Sequence, residues 1–69
     1  MYISENTVKK ILKEAGANRV SANASAELQK HVNKMAFVLA NKAVRLSKHA
    51  KRKTVDISDV KLAAADSIL

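Results

Sequence analysis

Between Ser21 and Ala50 apolar residues recur at Ala24, Leu28, Val32, Met35, Leu39, Ala43, Leu46 and Ala50, at steps of 4, 4, 3, 4, 4, 3 and 4, with neither proline nor glycine in the run. That spacing keeps one face of an α-helix apolar throughout, and Ser21 is a suitable N-cap. A helix from about Ser21 to Ala50 would be roughly 45 Å long at ~1.5 Å per residue, longer than a compact domain of this size is wide. Much of it must therefore lie against something other than its own short chain. Phe37, Ala40, Val44 and Ala26 widen the apolar surface beyond one stripe, which implies two neighbours. Lys30, Lys34, Arg45 and Lys48, with Asn23 and Asn41, share the opposite face, in the ordinary reading a solvated one.

The flanking segments are short. From Ser4, a plausible N-cap, apolar residues fall at Val8, Ile11, Leu12 and Ala15, and Gly16, the only glycine, follows as a stop, so a first helix is expected over about residues 4 to 15. After Lys51 to Val55, Asp56 can cap a third helix with Asp59 in its first turn, where the helix dipole favours negative charge. Ile57, Val60, Ala63, Ala64 and Ile68 form its apolar side. The order is short, long, short, an all-α class. Each connection of about five residues places a β-branched residue beside a cation or hydroxyl, Arg19-Val20 and Thr54-Val55, enough for a brief extended pairing but not for a sheet. No repeat, linker or low-complexity tract divides the chain, so residues 1–69 are expected to form a single domain.

A chain of 69 residues is marginal as an isolated core, and the usual remedies are disulfides, a metal or oligomerisation. With no cysteine and two histidines the first two are set aside, no cofactor is called for, and association with a second chain remains. His31 and His49 stand 18 residues apart on one helix. That separation is some ~27 Å at ~1.5 Å per residue, too far for a shared metal or proton relay. Without a phosphate-binding glycine loop, a cysteine nucleophile or paired carboxylates, an enzymatic role has nothing to stand on. No apolar run approaches the ~20 residues of a membrane span and no secretory pattern opens the chain. An intracellular protein with no membrane partner is expected.

Charge points to the partner. Thirteen Lys and Arg face six Asp and Glu, a net charge of +7, and such an excess in a folded domain suits a polyanion. The cations gather near the helix ends: Lys9, Lys10 and Lys13 on the first helix, Arg19 before the second, Lys51, Arg52 and Lys53 before the third. Helix ends add unpaired N–H groups and dipole to such a site. One Tyr and one Phe give little for base stacking, so duplex backbone fits better than a single strand.

Lys13-Glu14-Ala15-Gly16-Ala17, then Arg19-Val20-Ser21, the helix end Leu46-Ser47-Lys48-His49-Ala50, and Arg52-Lys53-Thr54-Val55 before Asp59 together resemble the minimal, tailless archaeal histones, over the whole chain. The resemblance implies the histone fold: a short-long-short three-helix handshake in which two chains clasp head to tail, the connection at Arg19-Val20 lying beside Thr54-Val55 of the partner as a short parallel β bridge. It implies that Arg19 enters the minor groove and that Lys53 and Thr54 meet phosphates. Lys9, Lys10, Lys13 and Ser21 join the expected DNA surface, each with a plainer reading, solvated lysines and a helix cap. Arg52 resembles the arginine that pairs with the aspartate at position 59 and is expected to be structural. Leu46, His49, Asp59 and Leu62 match residues through which dimers join in a four-helix bundle, His49 of one meeting Asp59 of the next. Gly16 matches a glycine that lets adjacent superhelical turns approach, and it serves equally as a simple helix stop.

Three departures stand out. Lys51 occupies a position where the family commonly has glycine; Asp66-Ser67-Ile68-Leu69 is acidic and apolar where several relatives are basic; and Glu27 is the only carboxylate of the central helix. The expected function is a histone that binds, bends and wraps double-stranded DNA with little sequence preference, as homodimers or with another histone, assembling into tetramers or longer superhelices on the chromosome in the cytoplasm. The alternative is a histone-fold component of a transcription or chromatin complex that acts mainly through heterodimerisation. A sequence-specific helix-turn-helix regulator is disfavoured by the long uninterrupted helix.

Overall fold

A computed structural model describes residues 2–67. It has three helices, α1 (Glu5–Glu14), α2 (Ala22–His49) and α3 (Ile57–Ser67), and no strand among the described residues. Each expected helix is present with ends displaced by a residue or two. Ile68, which the sequence pattern places on the apolar side of the third helix, and Leu69 lie outside the described residues. No helix is long and apolar enough to cross a membrane among the described residues.

The chain divides into two compact units, Met1–Lys34 and Met35–Leu69, and α2 contributes a segment to each. In the first unit, α1 begins at Ser4, whose Oγ accepts from the Thr7 N–H at 3.2 Å, and buries Val8 completely. The residues before α1 are tied to α2 by polar groups. The Ile3 N–H donates to Asn33 Oδ1 at 2.6 Å, Gln29 Nε2 donates to the Ile3 carbonyl at 2.9 Å, and Ser25 Oγ donates to Glu5 Oε2 at 2.8 Å.

The buried line of α2 therefore differs from its apolar stripe. Ser25, Asn33 and Ser47 are buried, while Met35 and Phe37 stay more than half exposed. For Asn33 and Ser47 the physical reason lies in unpaired backbone groups of the incoming segment and of the helix end, which once buried require partners that short polar side chains supply, whereas Ser25 serves the Glu5 carboxylate. Apolar periodicity carries no trace of that requirement.

In the second unit the buried hydrophobics are small, Ala43 on α2 and Ala63 on α3, with Ser47 and Asp59 buried beside them. Val38, Val44, Val55, Ile57, Val60 and Leu62 remain exposed. Buried apolar side chains thus number three against ten exposed large ones among the described residues, the reverse of a domain with a self-sufficient core.

Candidate nucleic-acid interface

Two connections carry the cations of interest, and each begins with the same backbone device. At the end of α1 the Gly16 N–H donates to the Lys13 carbonyl at 3.0 Å and the Ala17 N–H reaches back to the Leu12 carbonyl at 3.0 Å. At the end of α2 the Lys51 N–H donates to the Lys48 carbonyl at 2.9 Å and the Arg52 N–H to the Ser47 carbonyl at 3.0 Å. Both are Schellman stops, which need a left-handed residue just past the helix. Gly16 takes φ +116° and Lys51 takes φ +60°. The absence of glycine at position 51 thus leaves the stop unchanged and shifts its φ to the narrow well that a side chain tolerates.

The first connection leads to Ser21, whose Oγ accepts from the Ala24 N–H at 3.1 Å and so caps α2. An accepting hydroxyl still has its proton to donate, so capping does not remove Ser21 from a phosphate-binding surface. Arg19, two residues earlier, is exposed and makes no side-chain hydrogen bond among the described residues. On α1, Lys10 and Lys13 are exposed and Lys9 is half-buried.

The second connection is held from inside. Arg52 Nη1 and Nη2 donate to Asp59 Oδ2 and Oδ1 at 2.9 and 2.8 Å, a two-pronged pair, and Nη1 also donates to the Thr54 carbonyl at 3.2 Å. Ser47 fixes the main chain of Arg52 at both ends, accepting its N–H at the carbonyl and donating Oγ to its carbonyl at 3.1 Å. Asp59 Oδ2 accepts the Asp56 N–H at 2.8 Å. The cap of α3 therefore runs opposite to expectation: the first-turn carboxylate of Asp59 reaches back to Asp56, and the Asp59 N–H is satisfied by the Asp56 carbonyl.

With its carbonyl side anchored, the loop leaves Lys53 and Thr54 exposed. Donation from Arg52, then the Asp56 N–H and the guanidinium charge, hold the Asp59 carboxyl down at about 2, and the same pair pushes the Arg52 guanidinium up. Ser47 and the reversed cap escaped sequence reasoning. The Asp56-x-x-Asp59 spacing signalled a cap without its direction, and nothing in the sequence singled out Ser47.

Leu46, His49 and Leu62 line one groove of the second unit, whereas Asp59 turns inward, 4% exposed, with both oxygens engaged by Arg52 and Asp56. A histidine arriving from outside would find at most the second lone pair of Oδ1. No group of three or more histidine, cysteine or carboxylate side chains fit to hold a metal occurs among the described residues.

Residues 1–64 match the family described as histone-like transcription factor (CBF/NF-Y) and archaeal histone. Among individual proteins, the chain is similar to the probable archaeal histone 3 of Methanocaldococcus jannaschii, with 50% identity over 54 residues, covering 78% of this chain and 81% of that one. It is also similar to one of the subunits of the archaeal histone HAN1 from Thermococcus zilligii, with 38% identity over 56 residues, 81% of this chain and 84% of the other. Three helices in the order short, long, short, the first two ending in left-handed stops, go with a match over nearly the whole length: the chain belongs to the histone-fold family of archaeal histones.

Proposed function

We propose that the whole chain, residues 1–69, acts as one histone-fold domain that binds double-stranded DNA with little sequence preference, bends it and packages it. The observation that carries this reading is the division of labour among the connection cations. Arg52 is consumed by Asp59, whereas Arg19 and Lys53 stand exposed with no side-chain partner among the described residues. Affinity then comes from neutralising phosphates and releasing counterions, with Arg19 entering narrowed minor grooves and no base-reading side chain required. Thr54, Ser21, Lys9, Lys10 and Lys13 supply further phosphate contacts.

The functional form is a dimer. Ten exposed large apolar side chains among the described residues call for a second surface, and a clasped partner covers most of them, Leu62 apart, while pairing Val20 with Val55 of the other chain as a short β bridge. Dimers join further through Leu46, His49, Asp59 and Leu62. By scaling from about 146 base pairs on four eukaryotic histone dimers, each dimer would organise roughly 35.

Replacing Arg19 or Lys53 by Ala should weaken binding to unrelated duplexes alike and lower the slope of log affinity against log salt by about one unit each. Unchanged slopes in both variants would remove these residues from the DNA surface. Nuclease digestion of DNA bound to the pure protein gives a ladder if dimers stack, and no protection if the chain does not wrap.

The family description spans transcription factors as well as histones, which supports a second reading, a protein that works mainly by heterodimerisation within a larger complex. Light scattering on the purified chain separates the two: a stable homodimer fits the packaging role, and a monomer or an unfolded chain fits the obligate heterodimer.

A further inference from the structure

Four cations, Lys48, Lys51, Arg52 and Lys53, stand close together in the sequence where α2 gives way to the second connection. The carboxylates beside them serve only one of the four. Asp59 holds Arg52 at 2.8 Å and Asp56 lies 3.7 Å from the same guanidinium. Lys48, Lys51 and Lys53 are exposed and form no ion pair or side-chain hydrogen bond among the described residues. Lys51 is the anomaly. At φ +60° it occupies the left-handed region, where a lysine is less favourable than glycine, and its charge repels those of Lys48 and Lys53 with no anion of the chain to offset it. Lys48, in the last turn of α2, already supplies a cation to the negative end of that helix. A backbone outlier whose side chain finds no compensation inside the chain points to a role outside it.

The position of Lys51 suits such a role. Its N–H is bonded to the Lys48 carbonyl at 2.9 Å, and the next residue, Arg52, is held by Ser47 at both its N–H and its carbonyl, so the backbone is fixed on either side. Arg52 then turns inward to Asp59 between two exposed lysines. Two residues of chain span at most ~7 Å, which brings Lys51 and Lys53 within reach of neighbouring phosphates on one DNA strand. We propose that Lys51 is a further phosphate-binding residue, gripping duplex DNA beside Lys53 with Arg52 as the internal brace of the pair. The inference rests on the DNA-binding role proposed above and adds one cation per chain to its contact surface.

The test compares three full-length variants with the natural chain on unrelated duplexes over a range of salt. Lys51→Gly and Lys51→Asn remove the charge and keep a residue that accepts the left-handed stop, while Lys51→Arg keeps the charge. The first two should bind about three- to tenfold more weakly at low salt, with the slope of log affinity against log salt lowered by about one unit per chain. Lys51→Arg should retain the natural slope, and circular dichroism should show all three folded. A natural slope in both uncharged variants would overturn the proposal, as would an equal loss in Lys51→Arg, which would trace the effect to backbone position and not to charge. Lys53→Ala, measured alongside, separates the two readings. If it lowers the slope and the Lys51 variants do not, this inference alone fails. If the Lys51 variants lower the slope but the natural chain protects no DNA from nuclease, the packaging role fails and the phosphate contact stands.

Discussion

The two connections of this protein end their helices with one backbone geometry and then stabilise it by different chemistry. After α1, the left-handed residue is Gly16, and the flanking pair that usually packs across a Schellman stop is apolar, Leu12 and Ala17, both half-buried. After α2, the left-handed residue is Lys51, and the equivalent pair is polar: Ser47 holds the Arg52 main chain by two hydrogen bonds. The first connection is a glycine stop followed by an exposed arginine. The second is a braced frame from which two residues project. Where glycine is absent, side-chain hydrogen bonds take over the positioning, and they fix the loop more tightly than backbone geometry alone.

Removing the brace should produce the largest effect. Asp59→Ala deprives Arg52 of both acceptors and leaves the Asp56 N–H at the start of α3 without its partner, so thermal stability should fall further than for any other single change named here. Arg52→Lys should recover only part of what Arg52→Ala loses, because a lysine cannot form the two-pronged pair or reach the Thr54 carbonyl at the same time. Melting curves for the three variants check this. If Asp59→Ala melts with the natural protein, the second connection is held by its backbone alone and the contrast with the first disappears.

The same brace fixes an acid limit. The Asp59 carboxyl is lowered from its ordinary range to about 2 by donation from Arg52 and the Asp56 N–H. A carboxylate depressed in the folded state stabilises fully above its unfolded value, near pH 4, and that stabilisation is lost as pH falls through about 2. Arg52, raised by the same pair, stays charged throughout this window and adds no second step. Unfolding free energy should therefore decline between about pH 4 and pH 2 in the natural protein and decline less in Asp59→Asn, measured side by side. Identical acid profiles would show that Asp59 titrates alike in the folded and unfolded chain.

Much of this was legible in the sequence, and the reasons are specific. The steps of three and four residues through α2 fixed its extent because a helix face repeats at 3.6 residues. Ser4, Gly16 and Ser21 marked ends because each satisfies backbone groups that a helix leaves unpaired. The pairing of Arg52 with Asp59 came from the resemblance, since a gap of seven residues across a loop carries no periodic signal. Asn33, Ser25 and Gln29 were missed because their partners, the Ile3 backbone groups and Glu5, stand far off along the chain, and only the fold brings them together. The exposure of Phe37, Met35 and Val60 shows the limit from the other side: an apolar pattern states that a surface will be covered without stating by which chain.

Gly16→Ala sharpens the comparison at intermediate size. An added Cβ would meet nothing within 4 Å, so any cost is conformational and not steric packing. At φ +116° the residue lies outside the left-handed well open to alanine, and the loop must either shift or hold a strained residue, at about 1–3 kcal/mol. Denaturant titration at constant slope measures it. A neutral result would mean that the first connection relaxes freely to the φ that Lys51 already occupies.

Lys51→Gly is the converse and the smallest effect. A side chain in the left-handed well costs roughly 1 kcal/mol relative to glycine, while the greater freedom of glycine in the unfolded chain returns part of that. The two oppose each other, so the variant should be stabilised by about 0–1 kcal/mol, well below the loss at Gly16, because φ +60° is a position L-residues tolerate. Lys51 is also exposed beside the proposed DNA surface, so removing its charge should weaken duplex binding and reduce the salt slope by about one unit if it faces phosphate. A gain in stability with an unchanged slope would assign Lys51 to the helix stop alone. Loss of stability would mean that the four-carbon stem of the lysine packs on the loop, making the second connection braced by Lys51 as well as by Arg52.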